Sequence, residues 1–238
     1  MNLVLLLALA CAPGVFIVGF IWFKDRYEKE PALLLLKSFF YGVASIVLTL
    51  VISVPLSKVM PVAESELTRQ AIHAFLVVAL VEEFSKYLLL RWVLLHNQHF
   101  NEPFDGIIYS VMVGMGFATA ENIAYVVTGG YEVAVIRMFT AVPAHAVFAI
   151  LMGYYLGNAR FANRPKLASI LALAVPALFH GAYDYFLFIN FLPGLWMGGA
   201  ASLLIGIFLS RRAIDSHQQA SPFRSDASGE TPDQDVNG

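Results

Sequence analysis

The chain has 238 residues, 58% of them hydrophobic and 13% charged, with a formal net charge of −2. Soluble domains carry about 25% charged residues, so the composition excludes an ordinary soluble enzyme and points to a protein that lives in a lipid bilayer. The weak net charge offers no bulk field for nucleic acid, and no nucleic-acid partner is expected.

A membrane-spanning helix takes about 20 apolar residues. On that measure the fold class is all-α, a polytopic membrane helical bundle with about seven transmembrane helices, and no second folded domain. The first span, 2–23, has no Lys or Arg ahead of it and runs on through Trp22 and Phe23. It is therefore read as a retained helix and not a signal peptide, which has a positive start and a shorter apolar core. It carries the single cysteine, Cys11, which excludes an intrachain disulfide. The second span, 34–57, is apolar throughout its middle. The third, 71–93, contains Glu82, Glu83 and Lys86. Each such charge at mid-bilayer costs about 2.5–3.5 kcal/mol, and an ionisable cluster at that depth points to function.

The fourth span, 106–128, carries Glu121 and Asn122; the fifth, 136–157, carries His145 two residues after Pro143. The sixth, 167–189, holds Pro176, His180 and Asp184. The turn 190–194 leads to the seventh, 193–210. Small residues four apart, Gly114 and Ala118, Ala149, Gly153 and Gly157, and Ser202 and Gly206, mark close helix approach. Lys24, Arg26, Lys29, Lys37, Arg91, Arg160, Arg164, Lys166, Arg211 and Arg212 fall on one side, against Lys58, Arg69 and Arg137 on the other. The positive-inside rule then puts the N-terminus outside and the C-terminus in the cytoplasm. Residues 1–210 form the transmembrane domain, and the polar stretch 211–238 is expected to be a disordered cytoplasmic tail.

Intramembrane polar groups thus occur on four consecutive spans, at depths that overlap within about one to two helical turns. Glu82 and Lys86 are four apart, Glu83 and Lys86 three apart, and His180 and Asp184 four apart, so each pair shares a helix face. Lys86 can neutralise one carboxylate while the other works as a general base. Asp184 can fix the tautomer of His180. His73 and Arg137 are placed near the outer ends of spans, with an inward reach open to Arg137, and His96 and His99 in a loop without a special role.

Carboxylates and imidazoles without a serine–histidine pair or a nearby cysteine suggest water activation. Two forms stay open. One is metal-free, with a glutamate as base and His145, His180 and Asn or Asp groups stabilising the oxyanion. The other is a zinc site of Glu82 or Glu83 with His145 and His180, with water in the fourth position.

At these residues the chain resembles the PrsW family of intramembrane proteases. Glu82-Glu83-Phe84-Ser85-Lys86 is similar to its Glu-Glu-x-x-Lys motif, and Phe117 to Asn122 to its Phe-x-x-x-Glu-Asn motif. His145, then His180 to Asp184 as His-x-x-x-Asp, complete the order. The resemblance covers about residues 1–210. It implies a multi-pass peptidase of the bacterial cytoplasmic (inner) membrane, related to the CAAX prenyl endopeptidase and bacteriocin-processing superfamily. It implies a single-pass membrane protein as substrate, such as an anti-sigma factor receiving its first cut in envelope-stress signalling. The resemblance leaves the glutamate or zinc question open.

The expected catalytic residues are Glu82, Glu83, His145 and His180, with Lys86, Glu121, Asn122 and Asp184 in support. Two rival readings use the same residues differently. A proton-coupled transporter or channel would use them as a relay, but would need a route open to both faces. A non-catalytic membrane adaptor would need the packing faces without the full polar set.

Overall fold

The computed structural model describes residues 2–61, 66–95, 97–161, 164–189 and 192–224. His96, Asn190, Phe191 and the expected tail beyond residue 224 lie outside these. The described residues are all-helical. Helix α1 spans Leu3–Lys24 and α2 spans Ala32–Val59. A short α3, Leu67–Ile72, runs into a π-helical segment, His73–Ala79, and then α4, Leu80–Leu95. Helix α5 is Pro103–Phe139, α6 is Ala141–Phe161, α7 is Pro165–Phe188 and α8 is Trp196–Gln219.

Local chemistry sets several of these ends. The Asn2 side chain accepts from the N–H groups of Val4 and Leu5 at 3.1 and 3.4 Å, capping α1. Helix α5 begins with a reciprocal capping box between Glu102 and Asp105, and Pro103 stands where its missing N–H costs nothing.

Helix α5 is the axis of the molecule. Every residue from 103 to 119 is buried. Helices α1 and α2 pack on it from one side and α6 from the other, and α7 packs on α6, α8 and the π-helical segment. The small-residue stripes are helix contacts, as expected. A Cβ on Gly153 would stand 2.3 Å from the carbonyl oxygen of Gly106, so only glycine permits that α5–α6 approach. Large apolar side chains on the outer faces of α1 and α2, such as Phe16, Phe23, Phe40 and Val51, are exposed. In water they would be a liability, and in lipid they are the solvent-facing surface.

Three differences from the sequence expectation matter. Length and hydropathy qualify five helical stretches to cross a membrane: 3–24, 32–59, 103–161, 165–188 and 196–219. The 103–161 stretch contains both α5 and α6, and the expected third span, 71–93, is not among the five. That segment changes its winding at the π-helical stretch, so no single helix in it reaches 18 residues, yet Ile72, Leu76, Leu80, Phe84, Leu88 and Trp92 still form an exposed apolar stripe along it.

The second difference is a reversal inside α5. Gly130 has φ +73° and ψ −155°, outside helical geometry, which glycine alone adopts without strain. The fourth span therefore ends at this break, and residues 131–139 form a short returning helix ahead of α6. Third, α8 continues past 210 to Gln219, carrying the first part of the polar stretch in helical form.

Candidate active site

Four elements bring the ionisable groups together. The π-helical segment precedes the two glutamates, and at its end the Leu80 N–H bonds the Phe75 carbonyl five residues back. Each extra residue in a turn rotates the rest of the helix by about 100°, so this segment sets which faces Glu82 and Glu83 present. Opposite it, Gly181 lies flat against Phe75, where a Cβ would meet the ring at 2.3 Å. That contact seats α7 so that His180 reaches the glutamates.

Lys86 sits between the two carboxylates, with its Nζ 2.8 Å from Glu83 Oε1 and 3.4 Å from Glu82 Oε2. The same ammonium lies 3.9 Å from the centre of the Phe117 ring and 3.3 Å from His145 Nδ1. All three residues, Glu82, Glu83 and Lys86, are buried. Buried charges persist when paired and hydrogen-bonded, and Lys86 meets that condition with two anions and a ring face.

His180 bridges α7 to α4. Its Nδ1 is 2.9 Å from Glu83 Oε1, and its Nε2 is 3.2 Å from Asp184 Oδ2 and 3.9 Å from Glu82 Oε2. Phe148 stacks on the imidazole at 4.7 Å with the planes 15° apart, which fixes its tilt. His145 comes from α6, with Nε2 3.0 Å from Glu121 Oε2. The two histidine rings lie 5.2 Å apart, nearly perpendicular.

Arg137 closes the arrangement from the returning helix 131–139. Its Nη2 donates to Glu121 Oε2 at 2.6 Å and its Nε to Asn122 Oδ1 at 2.9 Å. The Asn122 side-chain N–H₂ in turn donates to the Ala10 carbonyl on α1 at 2.9 Å. The Asn122 amide is thus engaged at both ends, and it ties three elements together.

A cavity of about 390 Å³ opens beside these groups. Glu82, Glu121, His145, His180, Asp184 and Arg137 line it, whereas Glu83, Lys86 and Asn122 stand behind the first layer. Tyr125, Thr140 and Tyr183 also line it, so its wall carries hydroxyl groups as well as ionisable ones. The expected residues therefore come to one place, in two layers. Arg137 is the principal addition, together with Phe148 and Phe117. The sequence left an inward reach open to Arg137 near the end of a span, and the reversal at Gly130 is what turns it inward.

The donor set can be tested for a metal. Glu82, His145 and His180 each offer one ligand atom, and these atoms lie within 4.8 Å of one another. In a tetrahedral zinc site with bonds of about 2.0–2.1 Å, ligand atoms stand about 3.3 Å apart. To close the difference His145 would give up its contact with either Lys86 or Glu121. If the Nδ1–H of a neutral His180 imidazole donates to Glu83, the usual outer-shell arrangement for a metal-binding histidine, its Nε2 lone pair faces Asp184 at 3.2 Å and Glu82 at 3.9 Å, an approach that a cation between them would relieve. Two imidazoles and a carboxylate are the chemistry of a catalytic zinc centre with a water position, so the residues fit that ion.

Comparison with known proteins points to one family. The family described as "PrsW family intramembrane metalloprotease" matches residues 30–210. A protein named "Protease PrsW" from Geobacillus kaustophilus is 37% identical over 194 residues, covering 81% of this chain and 84% of that one. Proteins of the same name are 37% identical over 178 residues in Bacillus subtilis and 36% identical over 185 residues in Clostridioides difficile. Those alignments each cover 74% of this chain, and 79% and 76% of the respective relatives. No solved structure gives a significant match.

Proposed function

The chain belongs to the PrsW family of intramembrane proteases, and from that premise we propose that it hydrolyses a peptide bond of a single-pass membrane protein at the cavity formed by Glu82, His145 and His180. The observation that carries this reading is the convergence of those three side chains on one cavity of about 390 Å³. Peptide hydrolysis in a bilayer needs a water, a base and a stabiliser for the tetrahedral oxyanion, all shielded from lipid. Each has a candidate here.

Glu82 is the base. Unlike Glu83, it lines the cavity, and it accepts the proton of the attacking water. Lys86 and Glu83 hold its surroundings fixed from behind. His180, locked by Glu83, Asp184 and the Phe148 ring, presents Nε2 to the reacting centre. His145, steered by Glu121, contacts the water and the developing oxyanion. Glu121 itself is held by Arg137.

Zinc would be held by Glu82, His145 and His180, and when bound it supplies Lewis acidity and a bound water of lowered pKa. A carboxylate that binds through one oxygen keeps the other to accept the water's proton, so Glu82 can serve in both capacities.

The finer assignment rests on the family. The substrate is a membrane-anchored protein of the anti-sigma-factor kind, whose first cut starts an envelope-stress response. The enzyme sits in the bacterial cytoplasmic membrane with its basic-rich face and C-terminus inside. The test is reconstitution of the purified chain in proteoliposomes with a single-pass anti-sigma factor, and then mapping of the new termini. A cut in or beside the spanning segment is expected. An intact substrate in the presence of active protein, or a cut in a remote soluble domain, overturns the reading.

A further inference from the structure

A second cavity, of about 680 Å³, lies at the opposite end of the apolar layer, between the first turns of α2 and the end of α4. No residue of the catalytic cavity lines it. Leu33 and Leu34 give it an apolar lining, together with the ring pair Tyr41 and Trp92, 5.8 Å apart. Its polar rim includes Lys37 and His99.

The charges on that rim are unequal. His99 feels the buried carboxyl of Glu30. Lys37 is exposed and takes part in none of the ion pairs formed among the described residues. The cavity thus combines an ammonium outside those ion pairs with leucine side chains and aromatic rings. Trp92 is 57% exposed and Leu33 65% exposed, so the cavity opens to the exterior of the helix bundle.

The location adds a second argument. Helix α2 begins at Ala32 and α4 ends at Leu95, so the cavity sits where apolar helix gives way to polar connector. That is the headgroup level, where Trp and Tyr gather and where basic pockets between helices hold lipid phosphates. It also lies on the basic-rich face with Lys24, Arg26 and Lys29. Its volume falls in the range of small-molecule pockets, about 300–1,000 Å³.

We propose that this cavity is a binding site for an anionic glycerophospholipid of the surrounding bilayer, with its phosphate at Lys37 and its first acyl methylenes on Leu33 and Leu34 between the Tyr41 and Trp92 rings. The site is independent of the catalytic assignment and needs no turnover for its detection.

The test is native mass spectrometry of the full-length chain in detergent, titrated with phosphatidylglycerol. Parallel titrations use diacylglycerol of the same chains, which lacks the phosphate, and glycerol phosphate, which lacks the chains. A single saturable phosphatidylglycerol adduct is expected, with much weaker binding of both fragments. Lys37→Ala weakens the adduct about fivefold, the value of one interfacial cation, and Lys37→Arg retains it. Trp92→Leu, which keeps apolar bulk without the ring, also weakens it, while Lys58→Ala at the far end of α2 leaves it unchanged. Equal binding of diacylglycerol, non-saturating adducts, or full affinity in Lys37→Ala and Trp92→Leu would overturn the proposal. Tight binding of glycerol phosphate alone would assign the site to a free phosphate compound and overturn it too.

Discussion

Arg137 donates to Glu121 at 2.6 Å although the two lie sixteen residues apart on what would otherwise be one continuous helix. A straight helix rises about 1.5 Å per residue, which would separate them by about 24 Å. The break at Gly130 folds the chain back and makes the contact possible. Arg137 then holds Glu121, and Glu121 holds His145. Removing the guanidinium should loosen that relay without touching Glu82 or His180. Arg137→Ala is expected to lower kcat for a single-pass substrate by about 10–100-fold, the usual effect of losing an outer-shell partner, with KM changing less. Arg137→Lys should recover only part of it, because a single ammonium cannot bond Glu121 and Asn122 in the same fork. A variant that keeps wild-type kcat would show that Glu121 needs no positioning.

Glu83 differs from Glu82 in position. It joins Lys86 to His180 behind the cavity, and its side chain is 1% exposed. Glu83→Gln keeps the shape and removes the charge that Lys86 and His180 both contact. A loss of about 1–3 kcal/mol of stability is expected from a buried charged hydrogen-bond network left partly unpaired. Differential scanning fluorimetry in detergent should show a larger drop in Tm for Glu83→Gln than for Glu82→Gln. The reverse order would contradict the two-layer description.

The connectors on the basic-rich face carry a separate acidic cluster. Asp25, Glu30, Glu102 and Asp105 are buried there, and the Tyr109 hydroxyl donates to Glu30. Burial pushes the Asp25 carboxyl up to about 6 and the Glu102 carboxyl up to about 7. A carboxyl whose folded pKa exceeds its unfolded value of about 4 binds its proton more tightly in the folded chain. Its contribution is fully present below about pH 4 and is lost as the pH rises through 6 to 7. Wild-type Tm should therefore fall more steeply between pH 5 and 8 than that of the Asp25→Asn, Glu102→Gln double variant. Identical slopes would show that these carboxyls titrate normally.

Metal content can be measured directly. Purified active protein is expected to carry zinc, and chelation should remove the metal and the turnover together, with recovery on adding zinc back. His145→Ala and His180→Ala should each lower the zinc retained by at least about tenfold. Undiminished turnover by metal-free protein would assign water activation to the carboxylates alone.

Much of the site was legible in the sequence, because ionisable residues in apolar helices stand out by their cost. Glu82, Glu83, Lys86, His145, His180 and Asp184 could be placed on helix faces from their spacing alone, and the fold brings them within hydrogen-bond reach. For Arg137 the sequence left the direction open, since a residue near a helix end turns inward only through the tertiary reversal at Gly130. The carboxyls at Asp25, Glu30, Glu102 and Asp105 were hidden. In connectors a charged residue looks solvated, and only packing against Tyr109 and the end of α8 buries it. The π-helical stretch ahead of the glutamates was hidden as well, because the apolar run 71–93 gives no sign that its winding changes over His73–Ala79.

The central claim is that Glu82 activates water at a cavity shared with His145 and His180. The most direct measurement is single-turnover cleavage of a single-pass substrate by Glu82→Gln in proteoliposomes, with folding and substrate binding verified on the same preparation. A glutamine of the same shape cannot accept the water's proton, so a loss of about 10²–10⁴-fold in the cleavage rate is expected with binding intact. Cleavage at the wild-type rate by that variant would contradict the account.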